Sequence, residues 1–330
     1  MTQTWNRRSV LQAMVALGGA PLCGAVAAQT SSQWPQKPIK LVVTFPPGGS
    51  SDIVARLLAP QLAQQLGQPV VIENKPGAGS SLGALAVAQS PSDGYTLLVS
   101  NSAALSIAPH LLAKSPYHPM QSFQHLAYIG AVPTVFVAHP SLPVDNFEQL
   151  VQWLRAQKTP VAFGSGGAAS VGHLIGEQLA LRLSAPMQHI PYRGAGPMRT
   201  ELLGGQIKLA VDALPQNLPL MQSGQLKLLA VTSKERAPQA LQVPSIAELG
   251  YPELVSENYV GISAPAGLPA AVGARISDAI RKVCLQPEIA ASLQQQGFVT
   301  QDMEQAAFAQ LVQQQFEGWK SVALQTGATL

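Results

Sequence analysis

The stretch Ile39-Lys40-Leu41-Val42-Val43-Thr44-Phe45-Pro46-Pro47-Gly48-Gly49-Ser50-Ser51-Asp52 decides how this chain is read. Its first half, residues 39–45, is a short apolar run of the kind that forms a buried strand. Beyond it, Val54, Leu57, Leu58, Leu62 and Leu66 recur at helical spacing. The order is therefore strand, glycine loop, helix. Pro46 and Pro47 stiffen the exit from the strand. Gly48 and Gly49 carry no Cβ, so the backbone can turn sharply and a ligand can come close. Ser50, Ser51 and Asp52 are N-cap types, and the helix they open presents unpaired N–H groups at the positive end of its dipole. Such a terminus suits an anion, a carboxylate being the simplest. The alternative is that the stretch is only a well-capped βα turn, since Gly-rich βα turns are common in α/β proteins. It carries neither G-x-G-x-x-G nor G-x-x-x-x-G-K-[ST], the nucleotide fingerprints.

Working outward, the same grammar repeats. A second strand, residues 69–73, runs into the glycine-serine loop 74–81 and a small-residue helix, 82–89. A third strand, 95–100, ends in Ser100-Asn101-Ser102-Ala103-Ala104 before another helix. Three strand ends thus lead into small polar loops, and in a parallel α/β sheet those loops share the carboxyl edge where ligands bind. Pro60 predicts a kink in the first helix. Residues 128–138 read as a strand that crosses Pro133 and passes into a second domain. There the strand 160–163 meets Gly164-Ser165-Gly166-Gly167-Ala168-Ala169-Ser170 and a helix bearing His173, Leu174, Leu179 and Leu183. Arg193-Gly194-Ala195-Gly196 opens a further helix, Asp212-Ala213-Leu214-Pro215 is a turn after the strand 207–211, and 227–232 is another strand. Residues 258–263 are the return strand, and the chain is mainly helical from Pro269.

The chain has 330 residues, of which 47% are hydrophobic and only 11% charged, enough for a sizeable core in two domains. Asn6-Arg7-Arg8-Ser9-Val10-Leu11-Gln12, a weakly apolar run and Ala25-Val26-Ala27-Ala28 mark residues 1–28 as a twin-arginine-like export signal. The run is short and broken by Gly18, Gly19 and Pro21, which argues against a membrane anchor. Loss of Arg7 and Arg8 with that leader takes the net charge from +3 to +1, and no basic stripe points to nucleic acid. Cys284 is then the only cysteine, read as a buried structural thiol on a helical face without a disulfide. No cofactor site is visible. The histidines show no metal-ligand spacing, so no metal is expected.

Pro46-Pro47-Gly48-Gly49, Glu73-Asn74-Lys75-Pro76-Gly77-Ala78-Gly79, Asp93-Gly94-Tyr95-Thr96-Leu97-Leu98, Pro191-Tyr192-Arg193-Gly194-Ala195-Gly196-Pro197, Leu202-Leu203-Gly204-Gly205-Gln206, Leu229-Ala230-Val231-Thr232-Ser233 and Ala264-Pro265-Ala266-Gly267 follow one another in order. With them the chain resembles, over essentially its whole mature length, the periplasmic substrate-binding proteins of tripartite tricarboxylate transporters, the Bug receptors. The resemblance implies an α/β, two-lobed periplasmic-binding-protein fold of type II with two crossing hinge strands. It places residues 34–133 and 259–330 in one lobe and 134–258 in the other. It implies a periplasmic, non-catalytic monomer that holds a small carboxylate in the cleft, through loops and helix N-termini, and passes it to a two-component membrane permease.

The expected ligand-binding residues are Pro47, Gly48, Gly49, Ser50, Ser51 and Asp52 on the first loop, and Ser100, Asn101 and Ser102 on the third strand end. In the second lobe they are Ser165, Gly167, Ser170, His173 and Asp212. Asp52 is either a helix cap or an orienter behind the ligand. His173 is a ligand contact or a structural group, and Asp212 a ligand contact or a turn cap. Arg193 is an anion contact or a surface charge; Tyr95 and Tyr192 are packing residues. Three departures from the family pattern stand out: Ala213 for the usual Asn, Ala108 for another Asn, and Ala168-Ala169-Ser170 for x-Gly-Thr. The Ala169 methyl is expected to narrow the pocket. Two other functions are compatible with the residues. One is an exported hydrolase using Ser165 and His173, although no nucleophile elbow is present. The other is a sensory domain signalling to a membrane kinase.

Overall fold

A computed structural model of the chain describes residues 34–330; the predicted export signal lies outside them. The chain begins with β1 (Ile39–Val43), α1 (Ser50–Leu66), β2 (Val70–Asn74), α2 (Ser81–Ala88) and β3 (Thr96–Asn101). A π-helical turn, Ala103–Ile107, leads into the short α3 (Ala108–Leu111) and then β4 (Phe123–Ala138). There follow α4 (Phe147–Arg155), β5 (Val161–Ser165), α5 (Val171–Leu183), β6 (Met187–Pro191), α6 (Ala195–Leu203), β7 (Leu209–Ala213), α7 (Leu214–Gln222) and β8 (Lys227–Val231). The return strand β9 (Glu257–Pro265) precedes α8 (Ala270–Cys284), α9 (Pro287–Gln295) and α10 (Gln305–Thr326).

The strands follow the order β2-β1-β3-β9-β4-β7-β5-β6, with β8 also on β4. In the first half β1 pairs parallel with β2 and β3, while β9 runs antiparallel to β3 and β4. In the second half β5 is parallel to β6 and β7, and β4 runs antiparallel to β7 and β8. The two halves therefore share β4, which spans both lobes. Its ladder with β9 ends at the Pro133–Glu257 pair, and its ladder with β7 begins at Thr134–Ala213. Proline has no N–H to give, so it is best tolerated where one ladder stops and the next starts. The chain returns beside this point. Ser256 N–H donates to Thr232 C=O at 2.8 Å, and Thr232 N–H to Thr134 C=O at 2.9 Å. The Thr134 and Thr232 hydroxyls meet at 2.8 Å in the buried crossing.

Each half has its own core. Val42, Leu98, Leu105, Tyr259 and Phe308 pack together in the first, and Val135, Met198, Leu202 and Leu228 in the second. A third cluster joins them: Trp319 and Ala323 of α10, with Ile107, pack against Phe136, Phe163 and Leu174.

Several local expectations change. Helix α1 continues through Pro60 to Leu66. Pro60 and Arg56 are both exposed, so the Arg56 carbonyl that loses its helical partner faces water. The N-cap of α1 is Gly49, with no side-chain cap, so Ser50, Ser51 and Asp52 are the first helical residues. The segment after Ser102 winds as a π-turn. Cys284 is half-buried rather than buried, and desolvation pushes its thiol up to about 12.

Candidate functional site

The carboxyl ends of the parallel strands in both lobes face a cavity of ≈ 90 Å³. Phe45, Pro46, Gly49, Ser50, Ser51 and Ala103 wall it from the first lobe. Thr134 and Asn258, on the two crossing strands, also line it. The second lobe contributes Gly166 and Ser170 to Gly172, then Gly194 and Ala195, then Val211 to Ala213 with Gln216. Among the described residues the lining contains no Lys, Arg or His.

Its positive character comes from backbone. The α1 ladder starts with Ile53 N–H donating to Gly49 C=O at 3.0 Å, which leaves the N–H groups of Ser50, Ser51 and Asp52 ahead of it. The α5 ladder starts with Leu174 N–H on Ser170 C=O at 3.3 Å, and the Ser170 hydroxyl caps His173 N–H at 3.1 Å. The N–H groups of Val171 and Gly172 remain, and both residues line the cavity. Helices α6 and α7 also begin at the wall, after Gly194 and Ala213. Helix starts from two lobes thus converge, each carrying a fraction of positive charge without a mobile cation to desolvate. Across the mouth, a Cβ built on Gly194 would stand 3.3 Å from Pro46 Cγ, so these loops of the two lobes touch.

The one acidic group in the wall is Asp212. It is buried, accepts from Asn217 Nδ2 at 2.9 Å, and has Arg199 Nη1 at 3.9 Å. Burial pushes its carboxyl up, against the opposing pull of Arg199, Asn217 and the Ala213 N–H. Asp212 thus adds a carboxyl group to a wall otherwise supplied with backbone donors.

Of the residues expected from sequence, Gly49, Ser50, Ser51, Ser170 and Asp212 line the cavity. The others lie behind or beside it. Pro47 and Gly48 are exposed on the outer turn. Asp52 is buried and organises that turn. Its Oδ2 accepts from Gly48 N–H and Arg56 Nε, both at 2.9 Å, and its Oδ1 from Asn74 Nδ2 at 2.9 Å and Arg56 Nη2 at 3.0 Å. Asn74 Nδ2 also reaches Phe45 C=O at 3.0 Å. Asn101 is wholly buried, donating to Thr44 Oγ1 at 3.0 Å and accepting Ala104 N–H at 2.9 Å. Ser100 accepts from Ser263 Oγ, and Ser102 accepts Tyr259 N–H, so both serve β9. These polar side chains hold strand ends together from inside.

In the second lobe, Gly167 (φ 135°) shapes the loop, and a Cβ there would stand 2.9 Å from Tyr192 C=O. His173 is buried and accepts Ala169 N–H on Nδ1 at 3.2 Å. Its ring stacks on His189 at 3.9 Å, and burial lowers it to about 4. The imidazole on Ser165 is therefore that of His189, at 2.7 Å, rather than His173, and Ser165 is fully buried behind the wall. The Ala169 methyl does not narrow the cavity. It is buried with Phe163 and Leu174, in a left-handed turn (φ 61°) beside Gly79. Arg193 is exposed and Tyr192 donates to Glu201 at 2.6 Å.

Phe45, Pro46, Ala103, Thr134, Gly194, Ala195, Val211, Ala213, Gln216 and Asn258, with Gly166, Val171 and Gly172, were not among the expected ligand residues. The glycine loop at Gly194 before a helix is the same signal as at Gly48. Thr134 and Asn258 carry no local signal, because only the crossing of β4 and β9 brings them together.

The Asp52 lattice makes a testable prediction. Burial raises the Asp52 carboxyl, but its bonds to Arg56, Gly48 and Asn74 outweigh this and hold it below 3.8. A depressed carboxyl contributes stability that is present above the unfolded value and lost as the pH falls through the lower folded value. Asp52→Asn is expected to melt about 2–4 °C lower than wild type at neutral pH. The gap should shrink in scans taken below pH 3.8. A constant gap across pH would show that the charge is not what holds the turn.

The family described as "Tripartite tricarboxylate transporter family receptor" matches residues 54–327. Protein BugT of Bordetella pertussis is 36% identical over 312 residues, 93% of this chain and 94% of that protein. An R. palustris protein solved with adipate superposes with a TM-score of 0.85 at 28% identity, over 90% of this chain and 100% of that one. MatC from Rhodopseudomonas palustris, with bound malate, gives 0.82 at 28% identity, over 88% and 99%.

Proposed function

Because the chain belongs to the tripartite tricarboxylate transporter receptor family, we propose that it is an exported, non-catalytic receptor that captures a small organic carboxylate between its lobes. It then delivers that solute to a two-component membrane permease. The observation that carries this reading is the convergence of α1 and α5 N–H groups on a small cavity with no basic side chain in its wall. An anion held by fixed backbone dipoles is bound without the cost of ordering a long cationic side chain. The adipate and malate bound by two relatives support the same chemistry.

The lobes are residues 34–133 with 259–330, and 134–258, moving about the crossing strands and closing over the solute. The receptor is exported by the twin-arginine route and works in the periplasm, as a monomer. No helix among the described residues is long and apolar enough to cross a membrane.

The test is thermal melting of the mature protein, unfolded and refolded to strip carried-over solute, against organic acids, amino acids and neutral amides. A solute that binds only the folded state raises the melting temperature by mass action. A rise confined to carboxylates, with the compound recovered unchanged, is the expected result. A rise confined to neutral amides would overturn the carboxylate reading, and consumption of the compound would overturn the receptor.

A further inference from the structure

Ser165 Oγ is at a crossroads behind the cavity. Within hydrogen-bond distance stand Gly167 C=O at 3.0 Å, Gly167 N–H at 3.2 Å, Ser170 Oγ at 3.0 Å and His189 Nε2 at 2.7 Å. A serine hydroxyl has one proton and two lone pairs, so it cannot serve all four at once. Two arrangements bond His189 and keep the Gly167 N–H contact, and each leaves one partner out: Gly167 C=O in the first, and in the second the Ser170 hydroxyl, which otherwise donates to Ser165. If His189 Nε2 is bare, Ser165 donates to it, and the two lone pairs take Gly167 N–H and the Ser170 hydroxyl proton. Ser170 then shows the cavity only a lone pair. If His189 carries its proton on Nε2, it donates to Ser165, and Ser165 donates to Gly167 C=O. The lone pairs are then filled by His189 and Gly167, and the Ser170 hydroxyl proton is released toward the cavity.

We propose that His189 is a positioning residue that fixes this polarity: as the Nε2–H tautomer it turns the Ser170 hydroxyl outward, as a donor to a carboxylate oxygen. The proposal rests on reading the cavity as a carboxylate site. Ser170 lines that cavity and caps α5, so its oxygen already accepts His173 N–H at 3.1 Å. Beside the free Val171 and Gly172 N–H groups, an outward O–H adds a donor to the same anion, whereas an outward lone pair would oppose it. The Nε2–H form is also the intrinsically preferred tautomer of a neutral histidine side chain. The ring is held neutral and in place: burial and its neighbour His173 lower His189 to about 3, and the two rings stack at 3.9 Å with 22° between planes. His173 itself is the Nε2–H tautomer, since its Nδ1 accepts Ala169 N–H, and that proton faces Glu177 Oε1 at 4.0 Å. The polarity of the Ser165 site thus passes through one half-buried ring that lies outside the cavity wall.

The decisive experiment is a long-range proton–nitrogen spectrum of the refolded protein labelled with [15N]histidine, with His189→Gln used to assign the ring. His189 Nε2 is expected at the protonated, pyrrole-like position; an unprotonated, pyridine-like Nε2 overturns the proposal. Affinities for adipate, malate and acetate are then compared in wild type, His189→Gln and His189→Leu. Gln keeps an N–H donor for Ser165 and is expected to stay near wild type, whereas Leu should bind about tenfold more weakly. Equal loss in both variants, or none in Leu, would make His189 merely structural and also overturn the proposal. Should wild type bind none of the three acids, the carboxylate reading fails, while the nitrogen spectrum still decides which way His189 donates.

Discussion

Gly172→Ala is expected to destabilise the protein by about 2 kcal/mol and to weaken solute binding at the same time. Gly172 is the second residue of α5, and a Cβ built there lands on the carbonyl oxygen of Val211, with the Val211 carbonyl carbon at 3.0 Å. The obstacle is backbone of β7, so it cannot swing aside as a side chain end would. Alanine favours a helix over glycine by roughly 0.5–1 kcal/mol, which offsets only part of the overpacking. The start of α5 must move away from β7, and its free N–H groups move with it. Gly318→Ala is the comparison: Gly318 lies inside α10 with nothing within 4 Å of a built Cβ, so alanine there should leave stability unchanged or slightly raised. Denaturant melts of the two variants, with solute titrations, separate the outcomes. Equal stability of both would mean that α5 does not need its close approach to β7.

Ala213→Trp should lower affinity on the order of a hundredfold while leaving the unliganded fold intact. Ala213 is the last residue of β7 and the N-cap of α7; it is half-buried and lines the cavity. An indole there has a ≈ 90 Å³ space to enter, and it fills that space in place of solute. The backbone at Ala213 is extended (φ −66°, ψ 134°), which any residue adopts, so the change adds no strain to the chain. Ala213→Asn restores the amide usual in the family and is expected to alter which solute binds rather than whether one binds. Calorimetric titration with the acid that shifts the wild-type melt reads both. A tryptophan variant with wild-type affinity would move the solute site away from this cavity.

What the sequence by itself determined was local in origin. An apolar run ending in Pro46-Pro47-Gly48-Gly49 and followed by helical spacing can only leave a strand, turn and enter a helix. The same logic placed the loops at Ser165 to Ser170 and at Asp212, because glycine, serine and strand-end periodicity act within a few residues. The strand that runs through Pro133 was legible for the same reason. The tertiary structure decided which of those polar residues face the cavity. Asn101 and Ser102 look like wall residues in sequence, yet their partners Thr44, Ser51, Glu257 and Tyr259 come from distant segments and draw them inward. Asp52 turns from N-cap to the anchor of Gly48, because Asn74 and Arg56 arrive from β2 and the next turn of α1. The assignment of His189 rather than His173 to Ser165 follows from the pairing of β5 with β6, which sets Phe163 opposite His189 and Ser165 opposite Pro191. Thr134 and Asn258, 124 positions apart, line one wall only because β4 and β9 cross between the lobes. Spacing along the chain carries the identity of each loop; the direction of a side chain depends on partners that only folding brings within reach.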